Sequence, residues 1–399
     1  MVRSLYLGRA CPRPNAGPAI GAASFLSIIV PVGVVASLAL DKCGWVGFEV
    51  HPNNLRRVLG AVIITVGVVI VALSLGIRWH GLRQVHQCRN DAAQDGFAFR
   101  GTGPRSIVPL HPSTPRLRFL VAESEPPDAR EKRRESVGRS SGESYVETLE
   151  RLAPGAICHR ITPADADCAL QSGESLAGYD AIFLSGSPLS LYEDTPEVRR
   201  SLAFMGALFG SGTPSFGSCA GLQVATVAAG GTVGRNRNGP EAGFARRIVP
   251  TEAGRSHPLL KGRPAAYDAP SIHTDEVETL PDGATLLALN RSTVVQAAEI
   301  RQNSGTFWGV QYHPEIGLDE VTGALRRQAD DLVESGLART RREVEEQADL
   351  VEALHCEPDR RDLAWRLGLD DQVTDDGKRR IELTNFIEAL VIPVRNGRR

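Results

Sequence analysis

Two stretches near the start of the chain carry no charged residue, Pro14 to Leu40 and Val58 to Ile77, and the second is bounded by Arg56, Arg57 and Arg78. Twenty residues of helix rise about 30 Å, the thickness of a bilayer's hydrocarbon core. The pattern therefore predicts membrane-spanning helices over residues 19–40 and 58–77. Arg3, Arg9 and Arg13 precede the first span and Arg78, Arg83 and Arg89 follow the second, whereas the connecting loop mixes Asp41, Lys42, Glu49, Arg56 and Arg57. Positive charge favours the cytoplasmic side, so both ends, and the rest of the chain, are expected in the cytoplasm. Three other readings compete. A cleavable signal peptide would explain the first run, although that run exceeds the usual apolar region of about 7 to 15 residues and lacks a small-x-small site. Two buried helices of a soluble core would also be apolar all round. A start site placed too far upstream would leave a cytoplasmic protein without this segment.

After residue 89 the pattern changes. Residues 90–115 carry Gly96, Gly101, Gly103, Pro104, Pro109, Pro112 and Pro115 without sustained periodicity, which reads as a linker. Arg116-Leu-Arg-Phe-Leu-Val-Ala122 is then a short apolar run, followed by a long charged loop from Glu123 to Ser144 and helical spacing over Tyr145 to Leu152. Asp180-Ala-Ile-Phe-Leu-Ser-Gly186 reads as a strand, Pro196 to Phe209 as a helix, Thr213-Pro-Ser-Phe-Gly217 as a buried strand and Ala220 to Ala229 as the helix after it. Strands alternating with helices predict an α/β fold, a mostly parallel sheet with helices on both faces. From about Thr322 the chain turns rich in Arg, Glu, Leu and Ala; Leu325, Leu332, Leu350, Leu354 and Leu363 fall at amphipathic spacing, and Ile381 to Ile392 predicts a further helix. The divisions are thus a membrane segment (1–89), a linker (90–115), an α/β domain (116–322) and a helical extension (323–399).

Composition narrows the function. The 399 residues hold 45 Lys and Arg against 47 Asp and Glu, a net charge of −2, which excludes a globally basic nucleic-acid binder and an acidic disordered chain. The Lys132-Arg133-Arg134 run reads as a solvated face. Seven cysteines, at 11, 43, 88, 158, 168, 219 and 356, form no CxxC pair and no metal-ligand spacing, so neither a disulfide framework nor a metal is expected.

One cysteine stands apart by its neighbours. In Phe216-Gly217-Ser218-Cys219-Ala220-Gly221-Leu222-Gln223 a strand turns into a helix, and the glycines supply the small neighbours that a strained nucleophile elbow needs. A helix N-terminus favours the thiolate, and the Ala220 amide points toward an oxyanion formed there. The pentapeptide alone fits a buried cysteine among packing glycines equally well. In Phe307-Trp-Gly-Val-Gln-Tyr-His313-Pro314-Glu315, Pro314 holds His313 extended, and residues two apart in extended chain point the same way, so His313 and Glu315 form a base and its orienting carboxylate. Leu184-Ser-Gly186-Ser187-Pro188 is a glycine turn after a strand whose amides complete an oxyanion site; alone it is only a strand-to-helix turn.

These segments, with Ser271-Ile-His-Thr-Asp-Glu-Val-Glu-Thr-Leu-Pro, resemble the ordered motifs of class I glutamine amidotransferases, especially the glutaminase domain of GMP synthase and its stand-alone relatives, over about residues 116–322. The resemblance implies a flavodoxin-like sheet and cofactor-free hydrolysis of glutamine's side-chain amide: Cys219 forms a glutamyl thioester, His313 shuttles the proton, Glu315 orients it, and amides at Gly186, Ser187 and Ala220 hold the oxyanion. It implies glutamine contact for Gln223 and a part in substrate-site architecture for His273. Ser187 departs from the second glycine usual in the synthase branch, and Ala220 from a bulkier aromatic. No Ser-Gly-Gly-x-Asp-Ser loop occurs, so the ammonia acceptor is expected on a separate synthetase chain. The alternative is a γ-glutamyl hydrolase or peptidase using the same triad, and a catalytically silent membrane-tethered regulator is the third reading.

Overall fold

The computed structural model describes residues 116–168 and 173–398. The expected spans at 19–40 and 58–77 and the linker at 90–115 lie outside these residues. Among the described residues no helix is long and apolar enough to cross a membrane.

Eleven strands are described: β1 Arg118–Ala122, β2 Ile157–Ile161, β3 Ala181–Leu184, β4 Ser215–Ser218, β5 Thr232–Arg235, β6 Glu241–Pro250, β7 Tyr267–His273, β8 Asp275–Thr279, β9 Thr285–Leu289, β10 Ala297–Gln302 and β11 Gly305–Val310. Nine form one sheet in the order β2-β1-β3-β4-β11-β10-β9-β6-β7, and β5 pairs with β8. The five strands from β2 to β11 are parallel, while β10, β9, β6 and β7 add an antiparallel wing. The parallel half carries the predicted α/β arrangement.

The helices that matter for the site are α1 (Pro127–Val137), α2 (Ser141–Leu152), α3 (Pro196–Ser211), α4 (Ala220–Ala228), α5 (Leu318–Arg327), α6 (Arg341–Cys356) and α7 (Ile381–Phe386). Successive side chains of a strand point to opposite faces. Phe119, Val121 and Phe183 accordingly join Tyr145 and Leu149 of α2 in one core, while Leu120, Ala122, Ile182 and Leu184 join Phe204, Met205 and Leu208 of α3 and Leu222 and Val224 of α4 in the other. Burial on both faces is why these strands read as continuous apolar runs.

One sequence expectation changes. The supposed loop from Glu123 to Ser144 contains α1, which buries no residue fully and so shows no apolar stripe. It is held by charge instead: Arg133 meets Glu320 at 2.6 Å, Arg130 meets Asp165, and Arg134 meets Glu143 at 2.9 Å. Arg133 therefore does not belong to a solvated face. The helical extension packs against the rest of the domain. Helix α5 spans the boundary at 322, and Val344, Ala348, Val351 and Leu354 of α6 share a core with Val321 and Leu325. Phe386 of α7 packs against Phe183, Phe216 and Trp308 at ring distances of 5.4, 5.5 and 5.9 Å. The fully buried Arg263–Glu382 pair, 2.7 Å apart, ties α7 to the segment before β7.

Candidate active site

Strand β4 ends at Ser218 and α4 begins at Ala220, leaving Cys219 alone to make the turn, with φ 53° and ψ −112°. That left-handed φ is uncommon outside glycine, and a strained backbone held by its surroundings is a frequent mark of a functional position. The surroundings are visible here. The Cys219 amide donates to the Val310 carbonyl at 2.8 Å. A Cβ on Gly221 would lie 2.7 Å from the Leu184 carbonyl oxygen, and one on Gly217 would lie 2.8 Å from the Gly221 carbonyl carbon. Both glycines thus let α4 pack close enough to the sheet for the elbow to form. Cys219 is only 6% exposed, and its Sγ lies 3.9 Å from the Ile272 carbonyl of β7.

His313 follows β11 and is pinned by its own amide, which donates to the Pro270 carbonyl at 2.8 Å. Its Nδ1 sits 2.7 Å from Glu315 Oε1. Burial works against a charged ring, but the Glu315 carboxylate and hydrogen bonds to Cys219 and Glu315 outweigh it, pushing His313 up to about 10. The imidazole is therefore poised to carry a proton beside the thiol. Gly186 closes the other side: a Cβ there would lie 2.7 Å from His313 Cε1. The predicted Cys219, His313 and Glu315 come together across 96 residues of sequence, and Gly186 meets them from the loop after β3.

The remaining expected residues separate by position. Ala220 heads α4, next to the thiol. The Ser187 hydroxyl accepts from the Leu189 amide at 3.2 Å, shaping the loop after β3. Gln223 lies one turn along α4, buried, with its side-chain amide donating to the Asp275 carbonyl at 3.1 Å and to Gln311 Oε1 at 3.3 Å. His273 is held in a buried network, Nδ1 2.9 Å from the Asp275 carbonyl and Nε2 3.0 Å from Glu241 Oε2. Glu241 also accepts from Asn290, Thr293 and Gln296. Burial opposes its ionisation, yet the His273, Asn290 and Gln296 donors keep its carboxyl below the ordinary range. Among the described residues no cluster of His, Cys, Asp or Glu is arranged to hold a metal ion.

Two residues escaped the sequence reading. Ser218 Oγ donates to Glu315 Oε1 at 2.9 Å, and Tyr145 Oη lies 2.9 Å from Ser218 Oγ. Ser218 stood inside a motif already singled out, but strand alternation alone did not say that its hydroxyl faces the carboxylate. Tyr145 carried no signal beyond its helical spacing.

Residues 142–328 match the family model for glutamine amidotransferase class-I, and residues 15–70 match that of an inner membrane exporter, YdcZ. A gamma-glutamyl-L-1-hydroxyisopropylamide hydrolase of a Pseudomonas species is 34% identical over 283 residues, 70% of this chain and 94% of that protein. A glutamine-hydrolysing GMP synthase subunit of Saccharolobus solfataricus is 32% identical over 143 residues, 36% of this chain and 71% of that protein. The crystal structure of a glutamine amidotransferase from Thermotoga maritima aligns at 17% identity and a TM-score of 0.48, over 68% of this chain and 99% of that one.

Proposed function

Because the chain belongs to the class I glutamine amidotransferases and is an enzyme of that hydrolytic type, we propose that it cleaves the γ-amide of glutamine or a related γ-glutamyl compound through a thioester on Cys219. The observation that carries this reading is the positive-φ cysteine at the head of α4, with the His313–Glu315 pair at 2.7 Å beside it. The thiolate attacks the γ-carbonyl carbon, and the carbonyl electron pair moves to oxygen, facing the Ala220 amide and the Gly186–Ser187 turn. His313 donates its proton to the leaving nitrogen as the carbon–nitrogen bond breaks, leaving the thioester. The neutral imidazole then takes a proton from water, whose oxygen attacks the thioester carbon; glutamate leaves and the thiolate returns. Glu315 holds His313 in the productive orientation. Gln223 and His273 shape the wall that meets the glutamyl group.

Two leaving groups fit this chemistry. With glutamine, ammonia is released and passed to a separate synthetase chain; the similarity to a glutamine-hydrolysing GMP synthase subunit supports this reading. With an N-substituted γ-glutamyl amide an amine is released, a reading favoured by a relative matched over 94% of its length and named for such a substrate. Mass spectrometry of the protein incubated with glutamine and with γ-glutamyl alkylamides tests both. A glutamyl adduct on Cys219 supports the thioester, and its absence with every substrate refutes it. We further propose that residues 19–40 and 58–77 span a membrane with the catalytic domain on the cytoplasmic side, as their charge-free runs and flanking arginines suggest. Labelling of Cys43 in intact and permeabilised cells checks the topology, and an exposed C-terminus outside the cell would overturn it.

A further inference from the structure

A cysteine, a histidine and a glutamate suffice for the chemistry above, and none of them requires a hydroxyl at the residue before the nucleophile. Ser218 nevertheless places one there, fully buried at the end of β4. Its Oγ donates to Glu315 Oε1 at 2.9 Å, the same oxygen that faces His313 Nδ1 at 2.7 Å. The other carboxylate oxygen, Oε2, is buried without a hydrogen-bond partner. Among the described residues, then, Glu315 has two side-chain donors, and Ser218 is one of them. Because the serine proton is committed to the carboxylate, the 2.9 Å contact with Tyr145 Oη runs from the phenol to the serine oxygen. Tyr145 is itself completely buried on α2. Burial and the Glu315 charge hold its hydroxyl well above the ordinary phenol range, so it keeps the proton this donation needs. The backbone joins in: Thr148, one turn along α2, donates through Oγ1 to the Glu315 carbonyl at 3.0 Å.

We propose that Tyr145 and Ser218 form a buried hydroxyl relay that positions Glu315, and through it His313, for reaction at Cys219; the proposal rests on the thioester reading given above. No proton leaves the relay. Its part is orientation, because a carboxylate with one bare, buried oxygen is free to rotate about its terminal torsion unless donors on the other oxygen pin it. Ser218 adds the second donor, and Tyr145 fixes the serine rotamer by occupying its acceptor side. Other charged groups that act on Glu315 are Arg133 of α1 and Arg380 before α7, and these are unchanged in the variants below.

The test uses the full chain and three variants, Ser218→Ala, Ser218→Thr and Tyr145→Phe. Two readouts are taken: the rate of Cys219 alkylation by iodoacetamide at neutral pH, and kcat and KM for glutamine. A hydrogen bond to a buried charge is strong enough for its loss to cost about 10-fold in rate. Ser218→Ala is expected to slow both alkylation and kcat by about that factor, with KM within about twofold; Ser218→Thr, which keeps the hydroxyl, recovers most of the rate. Tyr145→Phe falls between wild type and Ser218→Ala. Wild-type alkylation and turnover in Ser218→Ala would overturn the relay, as would a Ser218→Thr variant no better than Ser218→Ala at equal folding by circular dichroism. Should Ser218→Ala not fold, Tyr145→Phe decides alone: a slower alkylation supports the relay and an unchanged one overturns it. If the wild type hydrolyses neither glutamine nor γ-glutamyl alkylamides yet Ser218→Ala still slows alkylation, the substrate reading fails while the relay stands.

Discussion

Gly186 offers a perturbation whose size is set by one measured approach. A methyl group at this position would place its carbon 2.7 Å from His313 Cε1 and 3.6 Å from each ring nitrogen, whereas carbon atoms rest comfortably at about 3.5–4.0 Å. The φ of Gly186 is not positive, so the Gly186→Ala variant avoids the left-handed region that disfavours side chains. The whole conflict falls on the imidazole. That ring cannot swing away freely, since it is buried, bonded to Glu315 at 2.7 Å and anchored through its own amide to β7. It must move by about 1 Å, and a displacement of that size at a reacting group costs on the order of 100-fold in rate. Glutamine or γ-glutamyl amide hydrolysis by Gly186→Ala is therefore expected to fall about 100-fold in kcat, with Cys219 alkylation slowed as well. Thermal unfolding measured in parallel separates this local effect from misfolding. A well-folded Gly186→Ala enzyme within about threefold of wild type would refute the reasoning, because His313 would then have been shown not to need its observed position.

Cys219→Ser is expected to abolish adduct formation, since the hydroxyl is a far weaker acid than the thiol, and Cys158→Ser to leave turnover unchanged; both are read by mass spectrometry and kinetics. Glu315→Gln should reduce kcat on the order of 10- to 1000-fold, with a folded Glu315→Gln enzyme of wild-type rate arguing against the orienting role. The raised His313 contributes stability that is fully present below its ordinary value of 6.5 and lost as pH rises through about 10. Urea midpoints should accordingly fall across that window in wild type and fall less in His313→Ala. Arg263→Met leaves Glu382 buried without its cation and is expected to cost about 3–5 kcal/mol; in urea unfolding, a loss below about 1 kcal/mol would show that α7 does not depend on this pair.

The sequence by itself determined the features that are local or periodic. Apolar runs such as Phe119 to Ala122 announced strands buried on both faces. The glycines around Cys219 announced a tight strand-to-helix turn, and His313-Pro-Glu315 put a base and a carboxylate on one side of an extended segment. The leucines at Leu325, Leu332, Leu354 and Leu363 announced the buried stripes they now form, while Leu350 of the same pattern is only half-buried at the edge of that core. What only the tertiary structure decided rests on partners far away in the chain. Helix α1 has no apolar stripe to read, and the arginine that ties it to α5 reaches a glutamate 187 residues on. The Tyr145–Ser218 and Ser218–Glu315 bonds span 73 and 97 residues. The contact of Gly186 with His313 depends on the loop after β3 meeting the loop after β11 across β4, which no periodicity encodes. A side chain's burial and face follow from the repeat of its own strand or helix. The group it meets across the core follows from how those elements stack, and that is settled only when the whole sheet closes against its helices.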